Sequence, residues 1–199
     1  MKRPMIEIKR RTVLISIGLL FTVNPILASE VIFDGIRFEK FRKVDGTILK
    51  CNGIGKRTIL FFDAYHAVLY TEIHYDDFDT LRQSNQPRIL ELRLLRDAPL
   101  SQLEKVVVDG IRKNSNADQL TSLHERLQAL LANMRRVKFL TKGDILEIIF
   151  SNDSTQLRIN KVDLGNPILG KDFNDAFLSI WLGPHPIDSE LKRQLLDIK

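Results

Sequence analysis

From Val31 to Ile73 the chain is rich in Val, Ile, Phe and Tyr, broken at Asp34-Gly35, at Asp45-Gly46 and at Gly53-Ile54-Gly55. That pattern predicts successive β-hairpins, with each glycine pair read as a turn. Arg88 to Arg96 alternates, placing Leu90, Leu92 and Leu94 on one face and Glu91 and Arg93 on the other, as a strand does. A further hairpin is expected from Asp144–Ser151 and Gln156–Val162 around Asn152-Asp153-Ser154. Between these strands the period changes. Ser101-Gln102-Leu103-Glu104 reads as a capping box opening a helix whose apolar face carries Leu103, Val107, Gly110 and Ile111. Leu120, Leu123, Leu127, Leu130, Leu131 and Met134 recur at helical spacing. A helix from Asp172, with Phe173, Phe177, Ile180 and Trp181 inward, stops at Gly183-Pro184, and a last short helix starts at Asp188. Strands in runs, rather than strict strand–helix alternation, predict an antiparallel α+β fold. No repeat or linker divides residues 30–199, so one domain is expected there.

The start of the chain follows a different logic. Lys2, Arg3, Lys9, Arg10 and Arg11 precede an uncharged stretch from Thr12 to Val23, and Ala28 and Ser29 supply small residues at its end. These are the parts of a secretory signal peptide over residues 1–29. The apolar stretch is too short for a spanning helix, and Asn24 and Pro25 interrupt it, so no transmembrane anchor is expected after cleavage. A periplasmic or secreted location follows as the expectation.

Cleavage changes the charge. Five of the 30 Lys and Arg and one of the 25 Asp and Glu lie in the signal, leaving 25 against 24. The basic balance belongs to the leader, and nucleic acid drops out as a partner. The single cysteine, Cys51, has no internal partner for a disulfide, and a domain of this size needs none.

Candidate chemistry is sparse. His66, His74, His124 and His185 include no pair at the spacing of two ligands on one helix face, and Asp76, Asp77 and Asp79 lack the glycine and terminal glutamate of a calcium loop. No metal or cofactor is therefore expected. Gly53-Ile54-Gly55 lacks the third glycine of a phosphate loop, and Cys51 reads as a small hydrophobe rather than a nucleophile.

The runs Gly46–Arg57 and Asp63–Tyr70, then Arg96-Asp97, Phe139–Asp144, Gly170–Phe177 and Ile180–Pro184, resemble the landmarks of the chalcone isomerase-like domain, in order, over about residues 31–197. The likeness is greatest to the family's exported bacterial branch. It implies an open-faced β-sandwich, a long antiparallel sheet with helices packed on one side, enclosing a cleft for a small apolar or amphipathic ligand. It also implies that Arg57 lies in that cleft, and that Tyr65 or Tyr70 assists in holding an anionic end. Where the plant isomerases carry a catalytic threonine, the nearest position is Tyr65. Their helix tyrosine, lysine and asparagine fall by spacing on Gln102, Lys105 and Asp109, so only the lysine is kept. The resemblance thus points to a non-catalytic periplasmic protein binding an apolar anion such as a fatty acid, with Arg57, Tyr65, Tyr70, Lys105 and Asp109 as ligand-binding candidates. Two other readings stay open: an intramolecular lyase using Arg57 and Lys105, and an interaction module of the envelope.

Overall fold

The computed structural model describes residues 29–198; the signal peptide expected for residues 1–29 lies, but for Ser29, outside the described residues. The expected hairpins form. β1 (Glu30–Phe33) pairs with β2 (Ile36–Glu39), and β3 (Phe41–Val44) with β4 (Thr47–Ile59), each across an Asp-Gly turn. At both turns the aspartate and the glycine have positive φ, which Asp and Gly adopt with least strain. From Lys50 to Ile59, β4 then pairs with β5 (Phe62–Thr71).

One expectation fails here. Gly53 and Gly55 are not a turn but lie inside β4. Their cause is tertiary: a Cβ on Gly53 would stand 2.3 Å from the carbonyl oxygens of Gln194 and Leu195, and one on Gly55 would stand 2.3 Å from Gln194 Oε1. The glycines let α5 (Ser189–Leu195) lie directly on the strand. The pairing of β4 with β5 also shifts between Cys51 and Gly53, a bulge that turns the Asn52 side chain to accept from the Tyr75 amide at 2.7 Å.

After α1 (Phe78–Gln83) the chain lays β6 (Arg88–Leu94) beside β5. A short strand, β7 (Ala98–Pro99), leads into α2 (Leu100–Lys113) and α3 (Ala117–Met134). β8 (Phe139–Leu140), paired with β7, precedes β9 (Ile145–Ser151) and β10 (Ser154–Ile159). β11 (Val162–Asp163), β12 (Ile168–Leu169) and α4 (Lys171–Leu182) complete the described chain before α5. The main sheet runs β11-β10-β9-β6-β5-β4-β3, with β12 against β10, and its pairings are antiparallel. This is the expected α+β architecture, a curled antiparallel sheet with helices packed on it.

The expected capping box at Ser101 is absent, because α2 begins one residue earlier, directly after Pro99, with no side chain capping it. The capping box opens α3 instead, where Asn116 and Gln119 exchange side-chain-to-backbone bonds of 2.9 Å.

Both faces of the sheet are covered. Ala67, Leu69, Leu90, Leu92 and Ile148 meet the helices, while Val68, Tyr70, Ile89 and Ile149 pack with Phe38 of the β1–β2 hairpin. On that second face Glu91 and Glu147 sit directly opposite each other in adjacent strands, with side chains 1% and 3% exposed. Arg42 of β3 reaches across the curl to both, at 2.6 Å to Glu91.

Candidate functional site

Arg57 and Tyr65 are cross-strand partners near the tip of the β4–β5 hairpin. The Arg57 guanidinium lies 5.8 Å from the centre of the Tyr65 ring, and among the described residues it forms no ion pair. Tyr65 is buried on the helix-facing side, where its Oη accepts a 2.9 Å hydrogen bond from Trp181 Nε1 of α4. Burial raises the Tyr65 phenol above its usual value, and the positive charge of Arg57 opposes that rise.

α2 forms the other wall. Gly110 lets it approach α4, since a Cβ there would come within 2.8 Å of Ile180. Lys105 and Asp109, one turn apart on its outer side, form a 2.7 Å ion pair whose hydrogen bond holds the Asp109 carboxyl below the usual carboxylate range. Arg57, Lys105, Asp109, Lys113, His185 and Ile187 all line one open cleft of about 330 Å³. Gln102, Val106 and Gly110 complete the α2 wall. The cleft carries three cations against one carboxylate; Lys105 is paired with Asp109, while Arg57 and Lys113 form no ion pair among the described residues, so the chemistry the cleft favours is capture of an anion.

Val106 also lines a second space on the inner side of α2. This one is an apolar chamber of about 50 Å³ bounded by Leu103, Met134, Ile148, Phe177 and Trp181. Polar mouth and apolar interior are thus separated by a single helix.

The structure therefore brings together Arg57, Lys105 and Asp109, and sets Tyr65 beside Arg57 but buried and outside the cleft lining, bonded to Trp181. Tyr70 is elsewhere. It is fully buried on the opposite face of the sheet, donates from Oη to the Glu39 carbonyl at 3.0 Å, and has its phenol raised by burial. An odd number of residues from Tyr65 along a regular strand puts it on the other side, which corrects its place among the cleft candidates. Lys113, His185 and Ile187 were not singled out by the sequence. Lys113 had a signal, being one further helical turn along the Lys105–Asp109 line; the other two sit in the loop after α4, which no local pattern connects to β4.

Comparison with known proteins places this geometry. A sequence model described as chalcone isomerase-like matches residues 30–197. No curated protein matches. Among solved structures, the crystal structure of a fatty-acid binding protein of Arabidopsis thaliana superposes with a TM-score of 0.66 at 14% identity, over 84% of this chain and 96% of that one. At that identity the likeness is one of fold. With the match running through nearly all of the described residues, the chain belongs to the chalcone isomerase-like family.

Proposed function

We propose that the protein is a non-catalytic ligand-binding member of this family, working in the periplasm and taking a small apolar molecule with an anionic end, such as a fatty acid. The observation that carries the reading is Arg57, a cation free of any carboxylate among the described residues, at the mouth of an open cleft. The anion meets the Arg57 guanidinium, and the apolar part lies along Val106 and Ile187. The inner chamber is too small to receive an acyl chain without displacing side chains, so the outer cleft is the binding place. The fatty-acid binding protein that shares the fold agrees with a ligand of this class.

Native mass spectrometry of protein recovered from the periplasm, with titration of a fluorescent fatty acid, tests this. Arg57→Ala should weaken binding by about 1.5 to 3 kcal/mol, the value of a charge-assisted hydrogen bond. No copurifying ligand together with no binding by wild type rejects the reading.

The intramolecular lyase is a second reading, supported by Lys105 reaching the same cleft as Arg57. Incubation with a simple chalcone decides it, because a rate equal to the spontaneous one leaves no isomerase.

A further inference from the structure

The β4–β5 hairpin ends in four consecutive apolar residues, and all of them face solvent. Leu60 is 84% and Phe61 93% exposed, with Ile59 at 45% and Phe62 at 59%. The turn itself is built against its own chemistry. The tight turns at 34–35, 45–46, 152–153 and 160–161 use Asp-Gly, Asn-Asp or Asn-Lys, with positive φ at both residues. Here the left-handed position, φ +56°, is taken by Leu60, a branched apolar residue that adopts it only with strain. Strain and exposed hydrophobic area are both unfavourable to the isolated molecule. Together they direct attention to what the tip presents.

Its surroundings give the sign of the partner. The Arg96 guanidinium stacks 4.9 Å from the centre of the Phe62 ring, and Arg57 lies three residues before Leu60, about 10 Å along the strand. Asp63 accepts from Thr58 at 2.8 Å and shares the Lys56 ammonium, 2.8 Å away, with Asp34 at 3.0 Å. Asp97 accepts from the Lys142 backbone amide at 2.8 Å, and the exposed side chain of Lys142 brings a further cation beside it. Around the tip, Arg57, Arg96, Lys56 and Lys142 thus outnumber Asp34, Asp63 and Asp97, and the two guanidiniums form no ion pair among the described residues. Its shape matters as well: a convex two-residue turn offers little of the flat area that a stable protein interface buries, whereas an acyl layer closes around a wedge of any shape.

We propose that this tip is a membrane-insertion element, with Leu60 and Phe61 entering the acyl region of an anionic bilayer while Arg57 and Arg96 rest at the phosphate level. Cations with apolar stems suit that depth. The inference shares Arg57 with the cleft, but it stands on Leu60, Phe61 and Arg96 and does not require the cleft to bind a fatty acid.

The experiment uses the full-length chain with Phe62→Trp as a reporter at the tip, since Trp181 is buried and supplies a constant background. Vesicles of phosphatidylglycerol and phosphatidylcholine should shift its emission to the blue, and brominated acyl chains should quench it. Omitting phosphatidylglycerol should weaken the response about 30-fold, the effect of two cations near an anionic surface. In a Leu60→Asn/Phe61→Gly background, which restores favourable turn chemistry, the quenching should vanish while the thermal midpoint stays level or rises. A reporter left unquenched by brominated acyl chains overturns the proposal, whatever the N-terminal segment does. A blue shift that appears with rising protein concentration and no vesicles also overturns it, in favour of a second copy of this chain covering the tip.

Discussion

Trp181 Nε1 donates a 2.9 Å hydrogen bond to Tyr65 Oη, and both side chains are buried. This bond joins the end of the sheet that carries Arg57 to α4. Tyr65→Phe would leave the indole N–H without its partner. Chemical denaturation should show a loss of about 1 to 3 kcal/mol, the cost of a buried unsatisfied donor. In a double-mutant cycle with Trp181→Phe, the two losses should add to more than the double variant shows. Full additivity would mean that the bond contributes nothing.

Gly53 is the point where α5 bears on β4. An added methyl group at 2.3 Å from two backbone oxygens has no flexible side chain to push aside. Gly53→Ala should therefore destabilise the protein by about 2 kcal/mol or more, through a shift of α5 that faster amide exchange at Leu191 and Leu195 would report. Gly55→Ala should cost less, because it first meets the Gln194 side chain. Equal, small effects at both positions would contradict the close packing.

Glu91 and Glu147 face each other in register, an arrangement that repels without a shared cation. Arg42 supplies it, and Arg93 adds a 2.6 Å contact to Glu91. Arg42→Met should cost about 3 to 5 kcal/mol, since it strands buried carboxylates rather than merely removing a bond. Adding Glu91→Gln and Glu147→Gln should recover part of that loss. No recovery in the triple variant would show that Arg42 acts by packing alone.

How much of this the sequence carried depends on whether the cause was local. The Asp-Gly turns, the α3 stripe from Leu120 to Met134 and the Asp188 start of α5 rest on nearby residues, and the chain alone shows them. Gly53 and Gly55 looked like a turn because the helix that requires them is formed by residues at the far end of the chain. Ser101 looked like a cap because nothing local reveals that the β7–β8 pairing brings the chain out of Pro99 directly into α2. For the cleft, Arg57 came from resemblance, whereas the exclusion of Tyr70 needed only the period of a strand. His185 and Ile187 required the fold, because the cleft is assembled from β4, α2 and the loop after α4.

Acid stability should follow the carboxylates held below their ordinary range. Arg126 donates to both oxygens of Asp172 at 2.6 Å, and that hydrogen bond lowers the Asp172 pKa. A folded value below the unfolded one means that the pair's contribution is fully present above about pH 4 and is lost as pH falls through the folded value. Arg126→Gln should thus lower the thermal midpoint near neutrality by less than about 1 kcal/mol equivalent, the pair being largely exposed, and leave it unchanged at the lowest pH where the protein still folds. A difference that grew on acidification would have the wrong sign for this pair.

Cys51 sits where the β4–β5 pairing shifts, and burial pushes its thiol up to about 11, with Asp197 and Glu91 adding to the rise. Only the thiolate is nucleophilic, and an ordinary thiol has a pKa near 8.5, so the reactive fraction near neutrality falls by more than about two orders of magnitude. Iodoacetamide should modify the native protein at least about 100-fold more slowly than a free thiol at the same pH, and at the free-thiol rate once denaturant exposes the strand. The rate should climb with pH well past 9, where a free thiol has levelled off. Native labelling at the free-thiol rate would instead put an activated sulfur on the edge of β4 and reopen the covalent chemistry that its burial argues against.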